Sequence, residues 1–140
     1  AVSRVESEIA SRDKTTIWQP KSQSSVLKVA PTILYETPGN HTKHELFGPI
    51  LRLVPFDTDQ DAINLATSPY GLATYIYSHS HESTNLLATS VQTGMLGVNT
   101  VDIVHPQWPF GGCLQSGHGT EGMPEISILE SMRVSLTVHG

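Results

Sequence analysis

Cys113 and His118 are the residues whose types and spacing could most directly do chemistry. Cys113 is the single cysteine of the chain, and His118 follows it by five residues within a glycine-rich segment. A cysteine becomes a nucleophile when a histidine or a helix N-terminus stabilises its thiolate. The pair therefore raises the hypothesis of a small hydrolase or redox protein, and a partly buried thiol without a chemical role is the alternative. Normal, slow labelling of Cys113 by iodoacetamide would argue against the first hypothesis.

Two further patterns could hold a ligand. Residues Gly117–Gly122 match G-x-G-x-x-G, but the dinucleotide fingerprint needs a preceding strand and a helix that opens within it. The preceding residues Phe110–Ser116 have the composition of a loop, so we predict no dinucleotide site here. The seven histidines include two closely spaced pairs that could bind a metal ion. No third ligand joins either pair, so we predict surface histidines and no metal. These pairs are His41 with His44 and His79 with His81.

The composition excludes several classes of protein. The chain has 140 residues, 38% of them hydrophobic and 15% charged, which is typical of one globular domain. Its net charge of −5 and the absence of a basic cluster exclude a sequence-independent nucleic-acid binder. No apolar run is long enough to span a membrane, and residues 1–13 contain no apolar core of a signal peptide. A single cysteine excludes an internal disulfide and fits a reducing compartment, so we expect a cytoplasmic protein.

The predicted strands and helices that position these residues follow a polar N-terminal segment. We predict an N-terminal segment at residues 1–25, with a short helix that carries Val2, Val5 and Ile9 and a linker from Ser11 to Ser25. The domain proper is predicted over residues 26–140. Strands are predicted at 29–35, 50–56, 72–78, 95–99 and 134–138. Helices are predicted at 59–67, from Ser80 to before Gly94, and at 125–132.

Local signals define the ends of these helices. Asp57 or Thr58 is predicted to cap the first helix, which ends at Tyr70-Gly71. Ser80 is predicted to cap the second helix, and Gly94 to end it in the left-handed conformation. The inner face of this second helix is predicted to be Leu86, Leu87 and Val91. Alternating strands and helices predict an α/β fold with a mostly parallel sheet flanked by helices. Thr100–Pro124 is too long for a simple connection, which is typical of a functional or packed loop.

Several motifs in order resemble the C-terminal half of the catalytic domain of the NAD(P)-dependent aldehyde dehydrogenases. The chain carries Ala30–Leu34, Glu45–Ile50 and Pro109–Gly117 where that family has a PT-[V/I]-L strand, an E-x-F-G-P block and a P-F-G-G-x-K-x-S-G loop. Between them lie Asp61–Ile63, Tyr70–Ala73 and Gly94 followed by Val98-Asn99, in the order of the family. The resemblance covers about Val26 to Val138, and it implies the family's α/β fold.

The resemblance also implies roles for four residues. Glu45 corresponds to the carboxylate that binds the ribose hydroxyls of the nicotinamide half of NAD or NADP, and Phe47 to the aromatic residue beside the nicotinamide ring. Asn99 and Phe110 correspond to positions near the substrate pocket. The closing residues 131–134 resemble the family's run into a strand that joins an oligomerisation sheet, so we expect a homo-oligomer or a completing protein partner.

The sequence departs from the family where chemistry is done. The 44 residues before Glu45 contain no cysteine, whereas the family's nucleophile and general base lie upstream of this block together with its cofactor-binding domain. Cys113 does not match the nucleophile. Leu114 replaces the lysine of the P-F-G-G loop, Thr67 the asparagine of an A-N pair, and the G-R-E-x-G string is degraded to Gly119–Gly122. We therefore expect a truncated or partial aldehyde dehydrogenase that is inactive as an isolated chain. The alternative is a free-standing module that binds a partner or itself.

Overall fold

The computed structural model describes residues 16–18, 29–39, 45–122 and 135–138. The chain divides into two compact units, Ala1–Phe56 and Asp57–Gly140, and each is described here by itself. The predicted division at residue 25 rests on composition alone and stays a prediction. The predicted helices at residues 2–9 and 125–132 lie outside the described residues.

The first unit contains a three-stranded sheet. Its strands are β1 (Thr16–Trp18), β2 (Thr32–Tyr35) and β3 (Ile50–Leu53), in the order β1-β2-β3. β2 pairs with β3 in parallel and with β1 antiparallel. The predictions of β2 and β3 are confirmed, while β1 falls in the stretch predicted as a linker. A three-residue strand is too short for a period-2 pattern, and its pairing with β2 defines it instead.

One face of this sheet is buried and the other is apolar and exposed. Thr32 and Leu34 are each only 2% exposed on the inner face. Paired residues share a face, as do alternate residues along a strand. The register therefore places five apolar side chains together on the opposite side, which we call the outer face. These residues are Trp18, Ile33, Tyr35, Leu51 and Leu53.

Two capped helices belong to the second unit. Helix α1 (Asp59–Ala66) begins at Thr58, whose hydroxyl accepts a hydrogen bond from the Asp61 N–H at 3.2 Å. The Asp61 carboxylate accepts one from the Thr58 N–H at 3.1 Å, which completes a capping box. Helix α2 (His81–Ser90) begins at Ser80, as predicted, and its cap accepts from the Ser83 N–H at 3.2 Å.

The predicted helix ends need correction. α1 follows its predicted range 59–67 to within one residue, with Thr67 as its C-cap, and Tyr70–Gly71 forms a short strand, β4, instead of ending the helix. α2 ends with Val91 as its C-cap, before Gly94, and both C-cap residues are in extended conformation. Gly94 lies beyond the helix end and does not adopt a positive φ, so it is not a left-handed cap. It is glycine for another reason, because a Cβ atom there would overlap the carbonyl oxygen of Gly111.

A parallel sheet forms the core of this unit. It consists of β5 (Ala73–Ile76), β6 (Met95–Val98) and β10 (Ser135–Val138), in the order β10-β6-β5. Ile76, Leu96 and Val98 are buried, with Leu87 and Ala88 of α2 packed against them. Leu86 was predicted for the inner face of α2 but is 46% exposed. It is adjacent to Leu87, and one residue turns a helix by about 100°, so both cannot face the sheet.

The segment predicted as a long loop is folded into short strands. These are β7 (Phe110–Gly111), β8 (Cys113–Leu114) and β9 (Thr120–Glu121). β7 pairs with β9 and β8 pairs with β4, both antiparallel. The segment is thus paired with β4 and with itself, which agrees with one of the two alternatives predicted for it, a packed loop, and leaves the other, a functional loop, a prediction. Two-residue strands have no periodicity, so the sequence did not indicate them.

Candidate functional site

Glu45 and Phe47 lie in the segment that leads into β3. The backbone turns at Gly48-Pro49, where the Ile50 N–H donates to the Gly48 carbonyl at 2.8 Å. The Pro49 carbonyl accepts from the Thr32 N–H at 2.9 Å, which ties the segment to β2. The turn residues therefore fix where the preceding segment leaves the sheet.

The side chains of Glu45 and Phe47 are both accessible to a ligand. Glu45 is exposed, and Phe47 is 89% exposed. A carboxylate presents two oxygens that can each accept a hydrogen bond from a hydroxyl. An aromatic ring with free faces can stack on a planar ring. The two side chains thus present a hydrogen-bond acceptor and an aromatic ring to solvent.

Asn99 lies at the carboxyl end of β6. Its φ of 54° is in the left-handed region, which asparagine tolerates better than most residues. Its Oδ1 accepts from the Ser78 N–H and its Nδ2 donates to the Ser78 carbonyl, both at 3.0 Å. The amide thus joins the ends of β5 and β6. The residue remains exposed at the end of a parallel sheet where ligands bind in α/β proteins.

Phe110 is half-buried in β7, opposite Glu121 of β9. The glycines around this strand lie so close to other residues that a side chain at these positions would overlap them. A Cβ at Gly71 would lie 2.6 Å from Cys113 Sγ, and a Cβ at Gly112 would lie 2.7 Å from the Cβ of Ser116. With the Gly94–Gly111 approach, these contacts define a glycine junction of Gly71, Gly94, Gly111 and Gly112. The junction anchors the segment that carries Phe110.

The geometry around Cys113 does not favour a nucleophile. The half-buried thiol donates to the carbonyl oxygen of Gly71, with Sγ 3.4 Å from that oxygen. This contact requires the thiol hydrogen, whereas a nucleophile needs a partner that stabilises the thiolate. His118 is exposed and does not share this contact. The hypothesis of a cysteine–histidine enzyme therefore receives no support from the described residues.

The glycine motif and the described histidines also lack the structure that their hypotheses need. No helix opens between Gly117 and Gly122, where the chain forms a bend and β9. His79 and His81 are exposed, and His41 and His44 lie outside the described residues. Among the residues that the structure describes, no three His, Cys, Asp or Glu side chains cluster as metal ligands would. Neither described helix has the length and apolar character needed to cross a membrane.

The predicted site residues are divided between the two units. Glu45 and Phe47 belong to the first unit, and Asn99 and Phe110 to the second. Sequence reasoning missed the partners that fix them. Ser78 lies 21 residues from Asn99, and Ser116 lies 45 residues from Gly71, whose N–H donates to its hydroxyl. Contacts at these separations leave no local pattern.

Comparison with known proteins identifies relatives along most of the chain. The model of the aldehyde dehydrogenase family matches residues 6–135. A succinate-semialdehyde dehydrogenase of Paenarthrobacter nicotinovorans is 43% identical over 98 residues, which are 68% of this chain and 22% of that protein. The human mitochondrial aldehyde dehydrogenase is 33% identical over 96 residues, 66% of this chain and 19% of that protein. The chain thus spans about a fifth of the length of these relatives.

Known structures agree with this assignment. PnpE in complex with nicotinamide adenine dinucleotide superposes with a TM-score of 0.72 at 28% identity, covering 86% of this chain and 27% of that one. Succinate-semialdehyde dehydrogenase from Burkholderia pseudomallei gives a TM-score of 0.69 at 33% identity, with coverage of 86% and 27%. The expected α/β fold and the resemblance stated from the motifs are confirmed. The chain belongs to the aldehyde dehydrogenase family.

Proposed function

We propose that this chain supplies part of the cofactor and substrate site of an NAD(P)-dependent aldehyde dehydrogenase. Glu45 binds the ribose hydroxyls of the nicotinamide half of NAD or NADP, and Phe47 packs beside the nicotinamide ring. The observation that carries the proposal is the accessibility of both groups, with Phe47 at 89% exposure. The related PnpE has been crystallised with nicotinamide adenine dinucleotide, which supports this cofactor class.

Asn99 and Phe110 are proposed to border the substrate pocket. Asn99 is exposed at the carboxyl end of β6, the edge of a parallel sheet where ligands bind. Its two hydrogen bonds to Ser78 leave one N–H and one lone pair of the amide for a ligand. Phe110 contributes an apolar wall that the glycine junction holds in place.

The 140-residue chain alone is proposed not to oxidise aldehydes. Aldehyde oxidation in this family needs a nucleophile to form a covalent adduct and a bound hydride acceptor. The one cysteine of the chain donates to a backbone carbonyl. A reducing, cytoplasmic location is part of the same proposal, since the chain has a single cysteine and no disulfide partner.

A segment exchange tests the role of Glu45. In the exchange protein, residues 26–138 replace the corresponding segment of the Paenarthrobacter succinate-semialdehyde dehydrogenase. NADH formation is measured for the unsubstituted exchange protein, for its Glu45→Ala variant and for the control variant Glu82→Ala. Glu82 is an exposed carboxylate in the first turn of α2. We expect Glu45→Ala to raise KM for NAD about tenfold, because two hydrogen bonds to a charged group are lost, while Glu82→Ala leaves it unchanged. An active exchange protein with identical KM values for all three would contradict the proposal.

Self-association is the second candidate function, and the outer face favours it. Trp18, Leu51 and Leu53 are 55%, 56% and 46% exposed on that face. A contiguous exposed apolar surface marks an interaction site, and a flat apolar face can pair with its own copy in a symmetric dimer. The occupant we propose is therefore a second copy of this chain.

Sedimentation equilibrium tests the association. We expect a concentration-dependent dimer that the double variant Leu51→Lys/Leu53→Lys converts to monomer, because charges on the face would lose their water on pairing. Leu86→Lys, at a similarly exposed leucine of α2, is the matched control and should leave the dimer intact. A chain that stays monomeric at high micromolar concentration, or a dimer unaffected by the double variant, rejects this candidate.

A further inference from the structure

The backbone of Gly71 is held on both sides by another part of the chain. Its N–H donates to the Ser116 hydroxyl at 3.1 Å. Its carbonyl accepts from the Gly94 N–H at 3.0 Å and from the Cys113 thiol at 3.4 Å. Residues from three separate stretches therefore meet at one peptide position.

Ser116 supplies the one hydroxyl in this arrangement. A turn brings it back toward β4, with the Ser116 N–H donating to the Cys113 carbonyl at 3.1 Å. Leu114 adopts a φ of 56° in that turn, and the Gln115 N–H donates to the Pro69 carbonyl at 3.0 Å. Replacing Ser116 by alanine removes the hydroxyl and keeps the backbone donors and acceptors of these contacts.

The glycine junction makes the position of this segment sensitive to that hydroxyl. A Cβ at Gly71 would lie 2.7 Å from the Gln92 carbonyl oxygen, and one at Gly112 would lie 2.7 Å from the Ser116 Cβ. Gly94 is in contact with Gly111, next to Phe110. Close packing transmits small shifts, because there is no void to absorb them. A displacement of Ser116 from Gly71 would thus reach Phe110 through the intervening residues.

We propose that Ser116 is a positioning residue, whose hydroxyl holds the 110–117 segment on Gly71 and so sets the place of Phe110. The consequence for substrate binding rests on the proposed function, in which Phe110 borders the pocket. The structural part concerns this chain alone. It is testable without any activity.

Cys113 can report whether the 110–117 segment is held on Gly71, since its thiol lies beside Gly71. The rate at which a disulfide reagent (dithiobis-nitrobenzoate) labels Cys113 is measured in the 140-residue chain. We expect Ser116→Ala to raise that rate about tenfold, because losing a hydrogen bond to a buried backbone donor favours local opening. Ser116→Thr keeps the hydroxyl and should restore most of the protection.

A matched variant separates local release from global loss of stability. Thr58→Ala removes the cap of α1 in the same unit, which is a comparable loss of stability away from Gly71. The proposal requires that Cys113 is labelled faster in Ser116→Ala than in Thr58→Ala when the two variants lower the midpoint of urea unfolding by the same amount. Equal labelling rates in the two variants, or no acceleration in Ser116→Ala, would overturn it.

The substrate consequence is read in the exchange protein. We expect Ser116→Ala there to raise KM for the aldehyde several-fold with little change in KM for NAD, and Ser116→Thr to reverse the effect. If Ser116 had a purely structural role, Ser116→Ala would lower the fraction of active enzyme, and thus kcat, without a different effect on the KM values for the aldehyde and for NAD. If the exchange protein fails to bind NAD through Glu45, the proposed function is wrong. The labelling rates still test whether the Ser116 hydroxyl holds the 110–117 segment on Gly71.

Discussion

At the scale of the residue, backbone conformation and side-chain chemistry coincide at Asn99. The residue combines a φ of 54° with two hydrogen bonds to Ser78. Asparagine suits both requirements, because it tolerates the left-handed region and carries a donor and an acceptor on one short side chain. Asn99 therefore has a structural role in addition to its proposed place beside the substrate.

The free energies of unfolding of Asn99 variants should follow an order set by the hydrogen bonds to Ser78 and by the left-handed backbone conformation. Asn99→Gly loses the hydrogen bonds but keeps the backbone conformation, and we expect about 1–2 kcal/mol of destabilisation. Asn99→Ala also adds the left-handed penalty and should be less stable than Asn99→Gly by about 1 kcal/mol. Urea unfolding followed by circular dichroism measures both. Equal stability of the two variants would show that the backbone strain does not matter here.

Gly94 provides a second residue-scale prediction. A Cβ there would overlap the Gly111 carbonyl oxygen, which is backbone and cannot rotate away. We expect Gly94→Ala to lower the free energy of unfolding by about 3 kcal/mol or more. Gly119→Ala is the control, because a Cβ at Gly119 meets nothing within 4 Å. Similar unfolding midpoints for the two variants would contradict the close approach.

At the scale of the element, the two helices depend on their first turns. Neither α1 nor α2 contains a fully buried residue, and α1 has only eight residues, so packing alone contributes little to it. The Thr58–Asp61 capping box satisfies N–H groups that the helix leaves without intrahelical partners. The starts of both helices were predicted because N-cap candidates, Asp57 or Thr58 and Ser80, stand in the sequence, whereas the stop signals at Tyr70-Gly71 and Gly94 do not end the helices.

Removing the α1 cap tests this dependence. We expect Thr58→Ala to destabilise the chain by about 1 kcal/mol. Thr89→Ala is the matched control, since the Thr89 hydroxyl bonds back to the Asn85 carbonyl at 2.8 Å within α2, an interaction that adds little to helix stability. Thermal unfolding of both variants distinguishes them. A loss in Thr89→Ala as large as that in Thr58→Ala would refute a specific effect of the cap.

At the scale of the whole molecule, the chain covers part of its relatives' length and leaves an apolar face uncovered among its described residues. It matches about a fifth of the length of its relatives, and an apolar face of its first sheet is open. In the proposed function, Glu45 and Phe47 contact one end of a dinucleotide. A tight site must bury most of its ligand, which two exposed side chains cannot do.

Calorimetric titration with NAD and NADP measures this limit. We expect the 140-residue chain to show no micromolar binding of either cofactor up to millimolar ligand. The segment exchange described above provides the positive reference. Micromolar binding that is lost in Glu45→Ala would instead mean that the chain forms a complete cofactor site, and an enzymatic activity should then be sought in it.

The sequence by itself determined the family, the α/β class and the helix starts, because these depend on local periodicity, capping residues and ordered motifs. Strands with four residues of regular pattern, such as β2 and β6, were predicted for the same reason. Only the tertiary structure decided the strands that lack a pattern of their own, β1, β4, β7, β8 and β9. Each is defined by pairing with a distant segment, as β8 is with β4.

The same division holds within the candidate site. The identities of Glu45, Phe47, Asn99 and Phe110 follow from motifs, and their proposed roles come from the resemblance. Tertiary structure decided that Asn99 is bonded to Ser78, that Gly94 is a close approach rather than a helix cap, and that Cys113 faces a carbonyl. These facts depend on contacts between residues 17 to 42 positions apart. The physical reason is that a hydrogen bond or a steric overlap depends on distance in space, and a local sequence pattern does not encode that distance.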